Sequence, residues 1–285
     1  MGRWVWIGAL VLPLALAGLA AACGAGDELI VASTTSVRDT GLLDELVQKF
    51  KEQNPDVGTV KPIAAGSGQV VELARRGEVD VIIIHWPEGE AQLIAEDDAT
   101  DRRPFMYNSF VVVGPSDDPA AVGAAASPVE VFRLIAEEEA LFISRGDGSG
   151  TNVRELAIWE EAGIDPTGRS WYQESGAGQG ASLLVASDKG AYTLVDGATW
   201  TVLEERAELT LYVLDSEVPN LYSVMRVNPD RHAVNEEAAL AFADFLTSPA
   251  GQAVIEQFGR REYDQPLFVP GSPARNVTPT PVSTP

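Results

Sequence analysis

Three short stretches of this chain carry residue types suited to holding a small anion: Ser33-Thr34-Thr35-Ser36, Gly66-Ser67-Gly68-Gln69 and Arg145-Gly146-Asp147-Gly148-Ser149-Gly150-Thr151. Hydroxyls rotate to donate wherever a ligand oxygen lies, and glycine lets the main chain come close. Arg145 brings the one full positive charge of the three stretches. Asp147 is spaced to hold the Arg145 guanidinium, or to make an Asx turn ahead of a helix, and is not assigned to the ligand. Any one stretch is also what an ordinary helix cap looks like. Three in one chain point to an oxyanion site.

The elements around these stretches explain why they would act together. Leu29-Ile30-Val31-Ala32 reads as a strand before the first stretch, and Leu42, Leu43, Leu46, Val47 and Phe50 then share one helical face. The strand Val60–Ala65 runs into the second stretch, and the helix Val70–Arg76 closes at Gly77. Strand-like Leu141–Ser144 precedes the third, and the helix Asn152–Ala162 ends at Gly163. Further strands are read at Val79–His85, Val111–Val113 and Ala191–Val195. Gly176-Ala177-Gly178-Gln179-Gly180 opens one more helix, and Ser248-Pro249 caps the last. This βαβ rhythm predicts an α/β fold with mainly parallel sheets, whose ligands sit at the carboxyl ends of the strands. A helix N-terminus there offers unpaired N–H groups and a partial positive charge.

Other chemistries are poorly served. With 20 basic against 42 acidic residues the formal charge is −22, which argues against a nucleic-acid partner. One cysteine and two histidines supply neither a disulfide nor a Cys/His zinc cage, and neither a metal nor a cofactor is expected. No glycine stretch carries the lysine of a P-loop, and neither Ser67 nor Ser149 is flanked by glycines at −2 and +2 as a hydrolase nucleophile would be. His85 ends an apolar strand beside Trp86-Pro87 and is read as packed or facing a cleft; His232 is read as solvated. Trp159 is read as core, on one apolar helical face with Leu156. The chain's acidity does not oppose a local anion site, because surface charges beyond a Debye length of about 8 Å are screened.

The ends read differently from the middle. Residues 1–22 have one charge, Arg3, and an apolar run, and are read as a signal peptide. Ala21-Ala22-Cys23 resembles a lipoprotein processing site, so Cys23 is the expected lipidation point, followed by a linker over 23–27 and a membrane anchor. Residues 265–285, rich in Pro, Thr, Ser and Val, are expected to be a disordered tail.

In order along the chain, Ala32 to Ser36, Asp39-Thr40-Gly41-Leu42-Leu43-Asp44, Gly66 to Gln69, Arg75-Arg76-Gly77, Met106 to Pro115, Ser144 to Thr151, Trp171-Tyr172, Gly176 to Gly180, Gly190 to Leu194 and Tyr222-Ser223-Val224 resemble the tungstate-binding proteins of ABC transporters. The resemblance spans about Leu29 to Phe258. It implies a two-lobed type II periplasmic-binding fold, hinged by two crossovers, with lobe one at 28–110 plus 210–264 and lobe two at 111–209. It implies a non-enzymatic, monomeric extracytoplasmic receptor that passes tungstate, with molybdate as a second ligand, to an ABC permease. The implied ligand-binding residues are Thr34, Thr35, Ser36, Ser67, Gly68, Arg145, Ser149, Gly150 and Thr151, with Gln179 nearby. Trp86, following His85 where the family usually has an acid, is expected to narrow the cleft mouth. The third stretch also resembles that of phosphate-binding receptors, so phosphate is the alternative within the fold. A secreted serine hydrolase is the alternative of another class.

Overall fold

The apolar run that starts at Leu29 becomes the middle strand of a parallel trio, between the fully buried run Val81–Ile84 and the half-exposed edge run Thr59–Ala65. The computed structural model describes Gly2 and residues 28–272, the side chains of Ser216 and Glu217 excepted. The first α/β stretch comprises β1 (Glu28–Thr34), α1 (Thr35–Asp39), α2 (Leu42–Gln53), β2 (Thr59–Ala65), α3 (Ser67–Arg75), β3 (Val81–Ile84) and α4 (Pro87–Ala95). β4 (Ala99–Gly114) carries the chain into α5 (Pro128–Glu137), β5 (Phe142–Ser144), α6 (Gly150–Ala162), β6 (Tyr172–Glu174), α7 (Gln179–Lys189), β7 (Thr193–Asp196) and α8 (Gly197–Leu203). β8 (Thr210–Val227) returns, and α9 (Glu236–Thr247), α10 (Pro249–Gln257), α11 (Arg260–Tyr263) and β9 (Val269–Pro270) follow.

The main sheet runs β2-β1-β3-β8-β4-β7, with β9 beside β4. β1 is parallel to β2 and β3, but β8 is antiparallel to β3 and β4, and β7 is antiparallel to β4. The sheet is therefore mixed rather than mainly parallel. The reason is the path of the chain: β4 leaves the first half and β8 comes back alongside it, so the two must run in opposite directions. β5 and β6 form a small parallel pair, joined to β7 by a bridge between Phe142 and Tyr192.

Alternation in β3 shows how the first half is filled. Val81 and Ile83 point into a cluster with Leu42, Leu46, Phe50 and Phe242, while Ile82 and Ile84 point into another with Val70, Val71 and Leu93. Burial of each such side chain is worth about 1.5–3 kcal/mol. Phe132, Phe142, Ile158, Trp159 and Tyr192 make the core of the second half. Phe110, placed in lobe one by sequence, packs with this second cluster, and Ala198 of α8 packs with the first.

Three expectations need correction. Residues 265–272 are ordered, because Leu267 and Phe268 are buried against the α2–α9 layer and Val269–Pro270 pair with β4. Leu156 is 47% exposed although Trp159 is core; the two are about 60° apart around the helix, and the buried side runs through Asn152, Glu155, Ile158 and Trp159, which leaves Leu156 at its rim. His232 is half-buried against Gly77, with Nε2 3.4 Å from Asp98 Oδ1, rather than solvated. The expected signal peptide, the Cys23 anchor and linker, and the tail from residue 273 lie outside the described residues.

Candidate functional site

The three stretches converge where the two halves of the chain face each other. The first marks the end of β1 and start of α1, the second opens α3, and the third links β5 to α6. Gly150 N donates to Ser67 Oγ at 3.3 Å, which joins α6 to α3. Gln179 N donates to Thr35 Oγ1 at 3.3 Å, and Arg145 Nη2 lies 3.5 Å from the same oxygen. Gly68 lies against the Gly148 carbonyl. These links explain the glycines: a Cβ on Gly150 would sit 2.2 Å from the His85 carbonyl oxygen.

α7 has no side-chain cap of its own, since Gly178 stands at that position. Two of its unpaired N–H groups are taken from across the interface, by Thr35 and by Asp39, whose Oδ2 accepts from Gly180 N at 3.2 Å. Asp39 belongs to a quoted motif but had no assigned role. A helix whose first cap residue is glycine, facing an acid elsewhere, is the signal that would have found it.

Arg145 is 3% exposed and fixed on several sides. Nη1 donates to Gln179 Oε1 at 2.9 Å and Nη2 to Asp147 Oδ2 at 2.5 Å. Asp147 Oδ1 in turn accepts from Ser149 N, so both carboxylate oxygens are engaged, as the arginine-holding reading expected. Below the loop, Glu155 is buried and accepts from Ser144, Asn152, Trp159 and Tyr172, which ties α6 to β5 and sets the loop's foundation. Burial pushes the Glu155 carboxyl above the usual range, opposed by these four donors.

The hydroxyls are left in one particular state. Thr35, Ser67 and Ser149 each accept a backbone N–H, the last from Asn152, so each retains its own hydrogen to give. Arg145 Nε and Thr151 Oγ1 are buried without a partner among the described residues. Unpaired buried donors are costly unless something accepts from them. The arrangement is a dry cluster of donors around one guanidinium, suited to a small, fully deprotonated oxyanion.

Behind it lies a polar network that sequence reasoning missed. Asn108 on β4, Asn220 and Tyr222 on β8, and His85 after β3 are buried and bonded to one another and to Ser36. Asparagines interrupting long apolar strands were the available signal. His85 is pushed down to about 4 by burial, with the Asn220 bond opposing the shift, so its ring is neutral at physiological pH. Its Nε2 is buried without a partner among the described residues. His85, Trp86, Pro87, Phe110, Val153 and Leu221 help line a cleft of about 240 Å³ beside the network.

At this level the β4–β8 ribbon changes register. Asn108 pairs with Asn220 and Phe110 with Asp215, so the four β8 residues between them face only Ser109. Such a bulge marks where paired strands bend most easily, and it lies between the two cores.

Comparison with known proteins follows the same outline. Residues 20–250 match the PBP superfamily domain. The tungstate-binding protein TupA of Peptoclostridium acidaminophilum is 37% identical over 279 residues, 92% of this chain and 96% of that protein. The crystal structure of the tungstate ABC transporter from Geobacter sulfurreducens matches with a TM-score of 0.74 at 37% identity, over 81% of this chain and 98% of that one. The tungstate-binding protein TupA from Desulfovibrio alaskensis matches with a TM-score of 0.70 at 32% identity, over 86% and 99%.

Proposed function

We propose that this chain, which belongs to the PBP superfamily and within it to the tungstate-binding proteins of ABC transporters, binds tungstate between its two halves and delivers it to a membrane permease. The observation that carries the reading is the convergence of Thr35, Ser67 and Gly68 from one half with Arg145, Gly148 and Gly150 from the other; the reading assigns Thr34, Ser149 and Thr151 to the ligand with them, and Ser36 to their support. Tungstate is a tetrahedral dianion with no hydrogen to give, so a site that presents donors and no free carboxylate suits it. Hydrogen phosphate also needs an acceptor. Asp147, the nearest carboxylate, already has one oxygen on Arg145 and the other on Ser149 N. Molybdate, of the same charge and shape, is the second ligand. The ribbon bulge is the hinge, and contacts such as Gly150–Ser67 form as the halves close.

A hydrolase is disfavoured by the same geometry. Ser67 and Ser149 bond to main-chain amides, not to a base. His85 is buried and His232 sits on Asp98. The reading places the receptor outside the cytoplasm as a monomer held by acylated Cys23. Mass spectrometry of the mature N-terminus tests the anchor, and an unmodified thiol there overturns it. Calorimetric titration with tungstate, molybdate, sulfate and phosphate tests the ligand. Tight tungstate and molybdate binding is expected, and tight phosphate binding with silent tungstate reverses the assignment.

A further inference from the structure

The buried network behind the site has a direction. Asp196 accepts from Thr199 N at 3.0 Å, from Thr199 Oγ1 at 2.6 Å and from Asn108 Nδ2 at 3.0 Å. Burial pushes the Asp196 carboxyl above its usual range, opposed by the Thr199 and Asn108 donors, but the oxygen that faces Asn108, Oδ1, already accepts from Thr199 N, so Asn108 turns its NH₂ toward Asp196 and its oxygen toward Asn220. Asn220 Nδ2 donates to that oxygen at 2.7 Å and to the Tyr222 hydroxyl at 3.0 Å. Asn220 Oδ1 is then left for His85 Nδ1, 2.5 Å away, which must carry the ring hydrogen.

The same logic runs on toward the anion. Tyr222 has accepted from Asn220, so its one hydrogen goes to its other partner, Ser36 Oγ at 3.0 Å. Burial holds the phenol protonated, since it raises the Tyr222 pKa well above its usual value. Ser36 then gives its hydrogen to Thr34 Oγ1 at 3.1 Å. Thr34 has now accepted, and its own hydrogen is unspent at the end of β1. Asp196, Asn108, Asn220, Tyr222, Ser36 and Thr34 are all at most 7% exposed, so water does not scramble the order.

We propose that Asp196 sets the direction of this hydrogen-bond chain, so that Thr34 reaches the bound oxyanion as a donor, with Asn108, Asn220 and Tyr222 as positioning residues. Ser36, in this arrangement, is a relay rather than a ligand contact. The chain biases the site toward oxyanions that carry no hydrogen. The inference about selectivity rests on the tungstate reading, but the direction itself is measurable with no ligand present.

Histidine labelled with ¹⁵N gives that measurement, because the chain has only two histidines, His85 and His232, and a His85→Gln sample assigns them. The ligand-free protein is expected to show His85 as the Nδ1–H tautomer, and an Nε2–H tautomer overturns the proposal. Asp196→Ala, which frees Asn108 to turn, is expected to add the second tautomer; a pure Nδ1–H signal there means that Asp196 does not set the direction. Tyr222→Phe keeps the ring that stacks on His85 at 4.6 Å and leaves the tautomer unchanged. It is expected to weaken tungstate binding roughly ten- to a hundredfold, the scale of one hydrogen bond to a charged group. Unchanged affinity in folded Tyr222→Phe refutes the relay, and Ser36→Ala, which cuts the same link, is expected to repeat the loss.

Discussion

Replacing Arg145 with alanine separates two effects that the structure places on one guanidinium. The first is direct: Nε is a buried donor without a partner among the described residues, and a charge-assisted bond from it to an anion is worth about 1.5–3 kcal/mol. The second is indirect. Asp147 Oδ2 lies 2.5 Å from Arg145 Nη2, and its side chain is only 17% exposed, so the substitution leaves an unpaired carboxylate beside an incoming dianion. Breaking a buried pair from one side costs about 3–5 kcal/mol, part of which falls on folding rather than binding. Tungstate affinity in Arg145→Ala should therefore drop by about 2.5–4 kcal/mol, the direct bond plus about 1 kcal/mol of repulsion, or roughly two to three orders of magnitude. The double variant Arg145→Ala/Asp147→Ala should recover the repulsive share, giving a coupling of about 1 kcal/mol or more in a double-mutant cycle. Titration calorimetry on the four proteins reads all of this. Affinity within threefold of the parent in Arg145→Ala refutes the placement of the site. If Asp147→Ala alone loses as much as Arg145→Ala, then Asp147 touches the ligand and the donors-only account is wrong.

Two further outcomes follow from neighbouring residues. His85 titrates near 6.5 when unfolded and near 4 when folded, so the unfolded chain takes up a proton first as pH falls. Its contribution is complete above about pH 6.5 and lost on the way to about pH 4, a change of about 3 kcal/mol. Urea unfolding of His85→Gln should lack that part of the acid sensitivity; an unaltered pH slope would contradict it. Gly150→Ala places a Cβ against the His85 carbonyl oxygen, and main chain does not yield as a side chain does. The variant should bind tungstate roughly tenfold or more weakly, at an overpacking cost of about 1–3 kcal/mol. Small-angle scattering should show it staying expanded with tungstate, and compaction equal to the parent would count against closure through this contact.

Much of the site could be read before any coordinates because it is local. Arg145 to Thr151 and Gly66 to Gln69 announce themselves as strand-to-helix junctions through hydroxyl and glycine content alone, and the structure brings both to one place. What escaped reading depends on partners distant in sequence. Asp39 gains meaning only opposite Gly180, and Asn108 only opposite Asn220, 112 residues away. β8 was obscured because Asp215, Pro219 and Asn220 interrupt its alternation just where the β4–β8 ribbon bulges. The end of the chain misled in the other direction. Its proline-rich composition suggested a tail, yet Leu267 and Phe268 supply a missing piece of core.

The β4–β8 ribbon also governs how the polypeptide is assembled. β3 pairs on its outer side with β8, which is synthesised only after the whole second half. A nascent chain that has reached residue 114 has β1, β2 and β3 but lacks the neighbour that completes them. The amino-terminal half thus stays unfinished until a late segment arrives, and a pairing of such long sequence separation slows its completion.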